Sequence, residues 1–85
     1  DLAKPVIEAL LKSVPQLDPT RVDDLIVGNA VPEAEQGLQM ARWVAVRSLP
    51  LEVPAVTVNR YCGSGVETIA MATANIRAGM ADCII

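Results

Sequence analysis

In the stretch TVNRYCGSGVETIA, residues 57–70, a cysteine stands between an apolar run and two glycines, and an apolar helical pattern follows at once. Cys62 falls at the carboxyl end of an expected strand and at the first turn of an expected helix, the edge at which open α/β sheets carry their ligand sites. The unpaired N–H groups and the positive dipole end there favour thiolate over thiol. Gly63 and Gly65 keep the backbone bare around the sulfur, so a substrate carbonyl can approach. The Cys62 N–H is placed to donate to an oxyanion as an acyl group is transferred. The competing reading is a buried structural cysteine whose glycines serve only the turn.

The other candidates have plainer readings. Cys83 lies in MADCII, an apolar run with no adjacent glycine, and reads as core packing. With no histidine in the chain, the two cysteines make neither a zinc site nor a CxxC redox pair, and a disulfide between them is the open alternative. Asp23, Asp24, Glu33 and Glu35 read as solvated strand-entry and loop charges, because each sits in a turn or loop without a partnering base. Met40, Met71 and Met80 read as packing residues, and Trp43 as a core or interface anchor. No metal or resident cofactor is expected.

The elements that must position Cys62 follow from periodicity. Leu2, Val6, Ile7, Leu10, Leu11 and Val14 keep the spacing of an amphipathic helix that Pro15 stops, with Pro5 tolerated in its first turn. A turn-rich VPQLDPT leads to an apolar run at 22–27 that closes on Gly28 and reads as a buried strand. Residues 28–37 read as a loop, 38–48 as a second helix, and LPLEVP as extended backbone ending it. A short strand at 55–58 then leads into the cysteine turn. Val66, Ile69, Ala70, Thr73, Ala74 and Arg77 recur at helical spacing, and Gly79 supplies the left-handed position after the helix. DCII begins a last apolar run. Helix, strand, helix, strand, helix, strand is the alternation of an α/β fold, with parallel strands joined by right-handed crossovers and helices on both faces of the sheet.

Composition bounds what this fold can serve. The 85 residues, 52% hydrophobic with Trp43 and Tyr61 as the sole aromatics, make one small domain whose core is Ala, Val, Ile and Leu. A formal net charge of −3 without any basic cluster argues against nucleic acid. No run approaches the length of a membrane span, and no basic-then-apolar leader is present, so the reading is a soluble intracellular chain. The chain opens at Asp1 without an initiator Met and closes inside an apolar run, which reads as a fragment.

VNRYCGSG resembles the nucleophile motif of the thiolase family, in which an Asn, a reactive Cys and then small residues open the central buried helix of the first half-domain. VDDLIVGNAVPEAEQGLQMAR is similar to the strand, loop and helix that precede it there, and PAVTVNRYCGSGVETIAMATANIRAGMADCII is similar to the family along its length. The resemblance therefore covers nearly all of residues 1–85, as part of a single incomplete N-terminal domain with a thiolase-like layered fold. It implies that the central first strand of the sheet precedes Asp1, between the strand ending at Val27 and the one containing Cys83. In such a piece DLIV and DCII would each show a bare edge, inviting association with other chains.

The resemblance also implies the chemistry. Cys62 would attack the 3-keto carbon of a 3-ketoacyl-CoA, expel acetyl-CoA, hold the shortened acyl group as a thioester and pass it to free coenzyme A, the co-substrate. The base, the second acid and further oxyanion donors would be histidines and a second cysteine outside this chain. Arg60, where acetoacetyl-forming members tend to carry Lys, leans toward the degradative branch of fatty acid β-oxidation. An acetoacetyl-CoA-forming enzyme and a non-catalytic thiolase-like acyl-CoA-binding or assembly protein are the alternatives. Family members are dimers or tetramers, which implies a homo-oligomer with Asn59 and Tyr61 near the partner subunit and Arg42 supporting them. The implied compartment is the cytoplasm, or the mitochondrion or peroxisome of a eukaryote.

Overall fold

The computed structural model describes residues 2–33 and 37–85. Its elements are α1 (Ala3–Ser13), a single 3-10 turn (Pro19–Arg21), β1 (Leu25–Gly28), α2 (Met40–Ser48), β2 (Ala55–Val58) and α3 (Ser64–Arg77). The α/β alternation is present. The loop expected over 28–37 is described only in part, since 34–36 and with them Glu35 lie outside the described residues.

β1 and β2 are parallel, with Leu25 opposite Ala55 and Gly28 opposite Val58. Strand side chains alternate between faces, which sorts β1 into two sets. Leu25 and Val27 join the core formed with α1 and α2, where Ile7, Val22, Val44, Ala45, Leu49 and Val53 are buried. On the opposite face Ile26 is buried and Gly28 lies against α3. An aliphatic core without aromatics is what the composition requires.

α2 is fixed to β2 at its start. The Thr57 hydroxyl accepts the Ala41 N–H at 3.1 Å, and the Gln39 side-chain carbonyl accepts the Thr57 N–H at 3.0 Å. α2 begins two residues later than its apolar pattern suggests, because Leu38 has φ 56°, a left-handed conformation that no helix continues. Gly28, expected to open the loop, instead closes β1.

The edges of the sheet differ from expectation. Leu25 N–H and Asn29 N–H point to β2, donating to Pro54 O at 3.0 Å and Val58 O at 2.9 Å. Ile26 N–H points the other way and donates to Ile85 O at 2.9 Å, while Asp24 O accepts the Ile85 N–H at 3.0 Å. DLIV and DCII therefore pair with each other, and the two bare edges are not found. The reason is that backbone groups of β1 not bonded to β2 need partners, and the last residues supply them.

Two helices turn a different face inward than the apolar spacing indicates. In α1 only Ile7 is buried, and Val6, Leu10 and Val14 are exposed. In α3 the residues that recur at helical spacing, Val66, Ile69, Ala70, Thr73, Ala74 and Arg77, are exposed. The sheet-facing row is Ser64, Glu67, Thr68, Met71 and Asn75, buried or half-buried at the same helical period. Trp43 is 68% exposed and Met80 75% exposed, so neither is a core residue, whereas Met40 does pack on the core. Gly79 has φ 78°, as its place after α3 predicts. Among the described residues no helix is long and apolar enough to cross a membrane.

Candidate active site

Val58 ends β2 and Ser64 begins α3, leaving five residues, Asn59 to Gly63, to reverse the chain. The turn is built by short-range bonds. Asn59 Oδ1 accepts the Tyr61 N–H at 2.8 Å, an Asx turn of the kind asparagine forms readily. Tyr61 is then left-handed, with φ 50°, an uncommon conformation for a residue with a bulky side chain. Arg60 O accepts the Gly63 N–H at 3.0 Å, and Tyr61 O accepts the Ser64 N–H at 3.1 Å.

Cys62 sits at the apex of this turn. It is exposed and carries a free thiol. It stands one residue before Gly63, the N-cap of α3, rather than within the first helical turn as expected. Its surroundings are bare: Gly63 has only Arg60 O within reach of an added methyl, and Gly65 has nothing within 4 Å. Within this chain Cys62 is therefore not packed into the core. Gly63 does not cap α3 with a side chain, so the N–H groups at the start of the helix have no side-chain acceptor. Glu67, in the first turn of α3, reaches Arg60 Nε at 3.5 Å.

Ser64 and Gly28 take part in this architecture although neither stands out in the sequence. Ser64 is 5% exposed, and its hydroxyl accepts the Arg60 N–H at 2.8 Å and donates to Tyr61 O at 2.7 Å. A methyl on Gly28 would stand 3.0 Å from the C, Cβ and O of Ser64, so the end of β1 and the start of α3 touch backbone to backbone. The one available signal was the glycine that closes an apolar run.

Cys83 belongs to a different part of the molecule. It is half-buried against the core, unpaired with Cys62, and forms one wall of an open cavity of about 490 Å³ lined also by Gln16, Asp18, Arg21, Asp23 and Asp82. No residue of the cysteine turn lines that cavity.

Asp23 and Asp24 do more than the solvated strand-entry charges expected. Asp23 Oδ2 accepts the N–H groups of Asp82 and Cys83 at 2.7 and 3.2 Å, and these bonds hold its carboxyl below the ordinary carboxylate value. Asp18 accepts the Thr20 N–H at 3.0 Å and is likewise lowered, first by that bond. Asp24 is raised, because burial disfavours its charge, and its Oδ1 is buried without a hydrogen-bond partner. Glu33 is exposed. None of them lies in the cysteine turn, and among the described residues no cluster of three or more metal-ligating side chains occurs. Asn59 and Arg42 both have local partners, the latter donating to Val53 O at 2.6 Å and Leu51 O at 3.2 Å.

Comparison with known proteins joins this geometry to a family. The sequence model described as "Thiolase, N-terminal domain" matches residues 1–85. The chain is 57% identical over 65 residues to a 3-ketoacyl-CoA thiolase of Bacillus subtilis (strain 168), covering 75% of this chain and 17% of that protein. It is 45% identical over 83 residues to a 3-ketoacyl-CoA thiolase of Saccharophagus degradans, covering 96% and 21%. A beta-ketoadipyl-CoA thiolase of Acinetobacter baylyi is 44% identical over 86 residues, covering 100% and 21%. The chain thus spans about a fifth of the length of these curated relatives.

Proposed function

Since the chain belongs to the thiolase family, we propose that Cys62 is the acyl acceptor of an acetyl-CoA C-acyltransferase that cleaves a 3-ketoacyl-CoA. The observation that carries this reading is the exposed sulfur at the apex of a braced, glycine-flanked turn leading directly into α3. The relatives' names support a CoA-bound 3-keto substrate, and two of those compared are 3-ketoacyl-CoA thiolases.

In the reaction the Cys62 thiolate forms a bond to the 3-keto carbon, and the carbonyl electrons move to oxygen. When they return, the bond between C2 and C3 breaks and the electron pair leaves as the enolate of acetyl-CoA, which takes up a proton. The shortened acyl group remains as a thioester on Cys62. Coenzyme A, deprotonated by a base, then attacks that thioester and Cys62 leaves as thiolate. The N–H of Cys62 itself is the donor this turn offers to an oxyanion, because those of Arg60, Tyr61, Gly63 and Ser64 already have acceptors within the turn. The base and acid come from elsewhere in the full-length protein, because this chain holds no histidine. Fatty acid β-oxidation is the proposed setting, in a homo-oligomer. The exposed row of Val66 and Ile69 on α3 fits a helix that the rest of a much longer protein covers.

The test is Cys62→Ala in the full-length protein, with coenzyme A and a 3-ketoacyl-CoA, followed by loss of the 3-keto species. Thiolysis should fall by at least about a thousandfold, as removal of a covalent nucleophile does. Incubation of the unmodified protein with substrate should leave an acyl mass increment on the peptide containing Cys62. Activity that survives the substitution, or an acyl group found on Cys83, defeats the reading.

A further inference from the structure

We propose that Ser64 is the positioning residue for Cys62, fixing the nucleophile relative to the sheet; the role in turnover rests on the reading of Cys62 as acyl acceptor. Ser64 is the one buried residue of α3, and its hydroxyl is engaged in both directions. It accepts from the N–H of Arg60 and donates to the C=O of Tyr61, the two residues immediately before Cys62. Its own backbone and Cβ rest on Gly28 at the end of β1, where even a methyl group would meet them at 3.0 Å. A continuous path therefore runs from the sheet through Ser64 to the peptide units that carry Cys62.

The need for such a path follows from Tyr61. A left-handed backbone at a bulky residue persists only where its surroundings over-determine it. Asn59 supplies one bond to Tyr61, to its N–H, and Ser64 holds its C=O with both hydroxyl and amide. A hydroxyl is the small group that both donates and accepts at one point. Alanine does neither, so Ser64→Ala leaves the Arg60 N–H without its partner and frees the turn to relax. The sulfur, on an exposed residue of that turn, moves with it.

The experiment compares the full-length protein with Ser64→Ala, Ser64→Thr and Gly28→Ala, measuring kcat and KM for thiolysis and the rate of alkylation by iodoacetamide at Cys62, with Cys83 as internal reference. Ser64→Ala should lower kcat about tenfold to a hundredfold, as misplacement of a reacting group does, with KM held within about twofold. Ser64→Thr, which keeps the hydroxyl, should recover most of that loss. The alkylation rate at Cys62 should change in Ser64→Ala and return in Ser64→Thr, while Cys83 stays constant. Gly28→Ala displaces Ser64 from the sheet side with its hydroxyl intact and should also lower kcat, which keeps the question open to refutation if Ser64→Ala does not fold. Unchanged kcat in either alanine variant, a threonine variant as slow as the alanine one, or equal changes at both cysteines overturns the proposal. Failure of the acyl-acceptor reading is separate: it shows as turnover surviving in Cys62→Ala, and the alkylation comparison still decides whether Ser64 positions the sulfur.

Discussion

The carboxylate of Asp23 accepts the backbone N–H of Asp82 at 2.7 Å, joining two points 59 residues apart in the chain. A second bond, from the Cys83 N–H at 3.2 Å, makes Asp23 a clamp on the segment that pairs with β1. Both bonds favour the charged form, and the Asp82 bond contributes most to the lowering. A carboxylate lowered in the folded state contributes stability that is fully present above its unfolded value of 3.8 and is lost as pH falls through the lower folded value. The amide proton shifts of Asp82 and Cys83 should therefore share a titration step with a midpoint below 3.8. In Asp23→Ala both shifts lose that titration. A midpoint above 3.8 in the folded protein is the contrary result.

Arg60 and Glu67 bracket Cys62 in sequence, yet their ion pair should matter little to stability. The contact is a single one, at 3.5 Å through Nε, and the Arg60 side chain is 70% exposed. Pairs of this kind are screened by solvent and contribute about 0–1 kcal/mol. Glu67→Gln should move the urea midpoint by the equivalent of less than about 0.5 kcal/mol. A larger shift would mean that Glu67, half-buried on the sheet-facing row of α3, packs for reasons other than charge.

Much of this is legible in the sequence. Proline and glycine mark the ends of elements through their own backbone chemistry, which is why α1 stops before Pro15 and Gly79 is left-handed. The glycines beside Cys62 and the meeting of two periodicities mark the strand-to-helix turn that carries it. The inward face of a helix was harder. In α3 the apolar row and the row that touches the sheet are different rows, and spacing alone points to the apolar one. The sheet is narrow, so it covers only one side of α3, and that side begins with Ser64 because Gly28 lets the backbones meet there. Close approach of two backbones depends on partners far apart in the chain, which periodicity does not report. Asp23 and Asp24 illustrate the same limit: adjacent, chemically identical, one clamps a distant segment and the other buries an unpaired oxygen.

The last expectation concerns how β2 is aimed at the cysteine turn. Arg42 on α2 sends one guanidinium nitrogen to Val53 O at 2.6 Å and the other to Leu51 O at 3.2 Å. These carbonyls belong to the proline-flanked stretch between α2 and β2, where no strand partner is available to them. Val53 is 1% exposed in the core, so the carbonyl it carries is tied to a well-packed side chain. A planar fork reaches two carbonyls two residues apart, whereas the ammonium of lysine places its donors on one nitrogen at the end of a flexible stem and does not match that spacing. Arg42→Lys should therefore cost about 1 kcal/mol, below the ~1.5–3 kcal/mol of a hydrogen bond to a charged group because the Leu51 bond is long and exposed, read as a lower urea midpoint with unchanged slope. Arg42→Ala should cost more, leaving both carbonyls to water and the core edge at Val53 loosened. If lysine matches arginine in midpoint, the Leu51 bond contributes nothing to holding the stretch before β2.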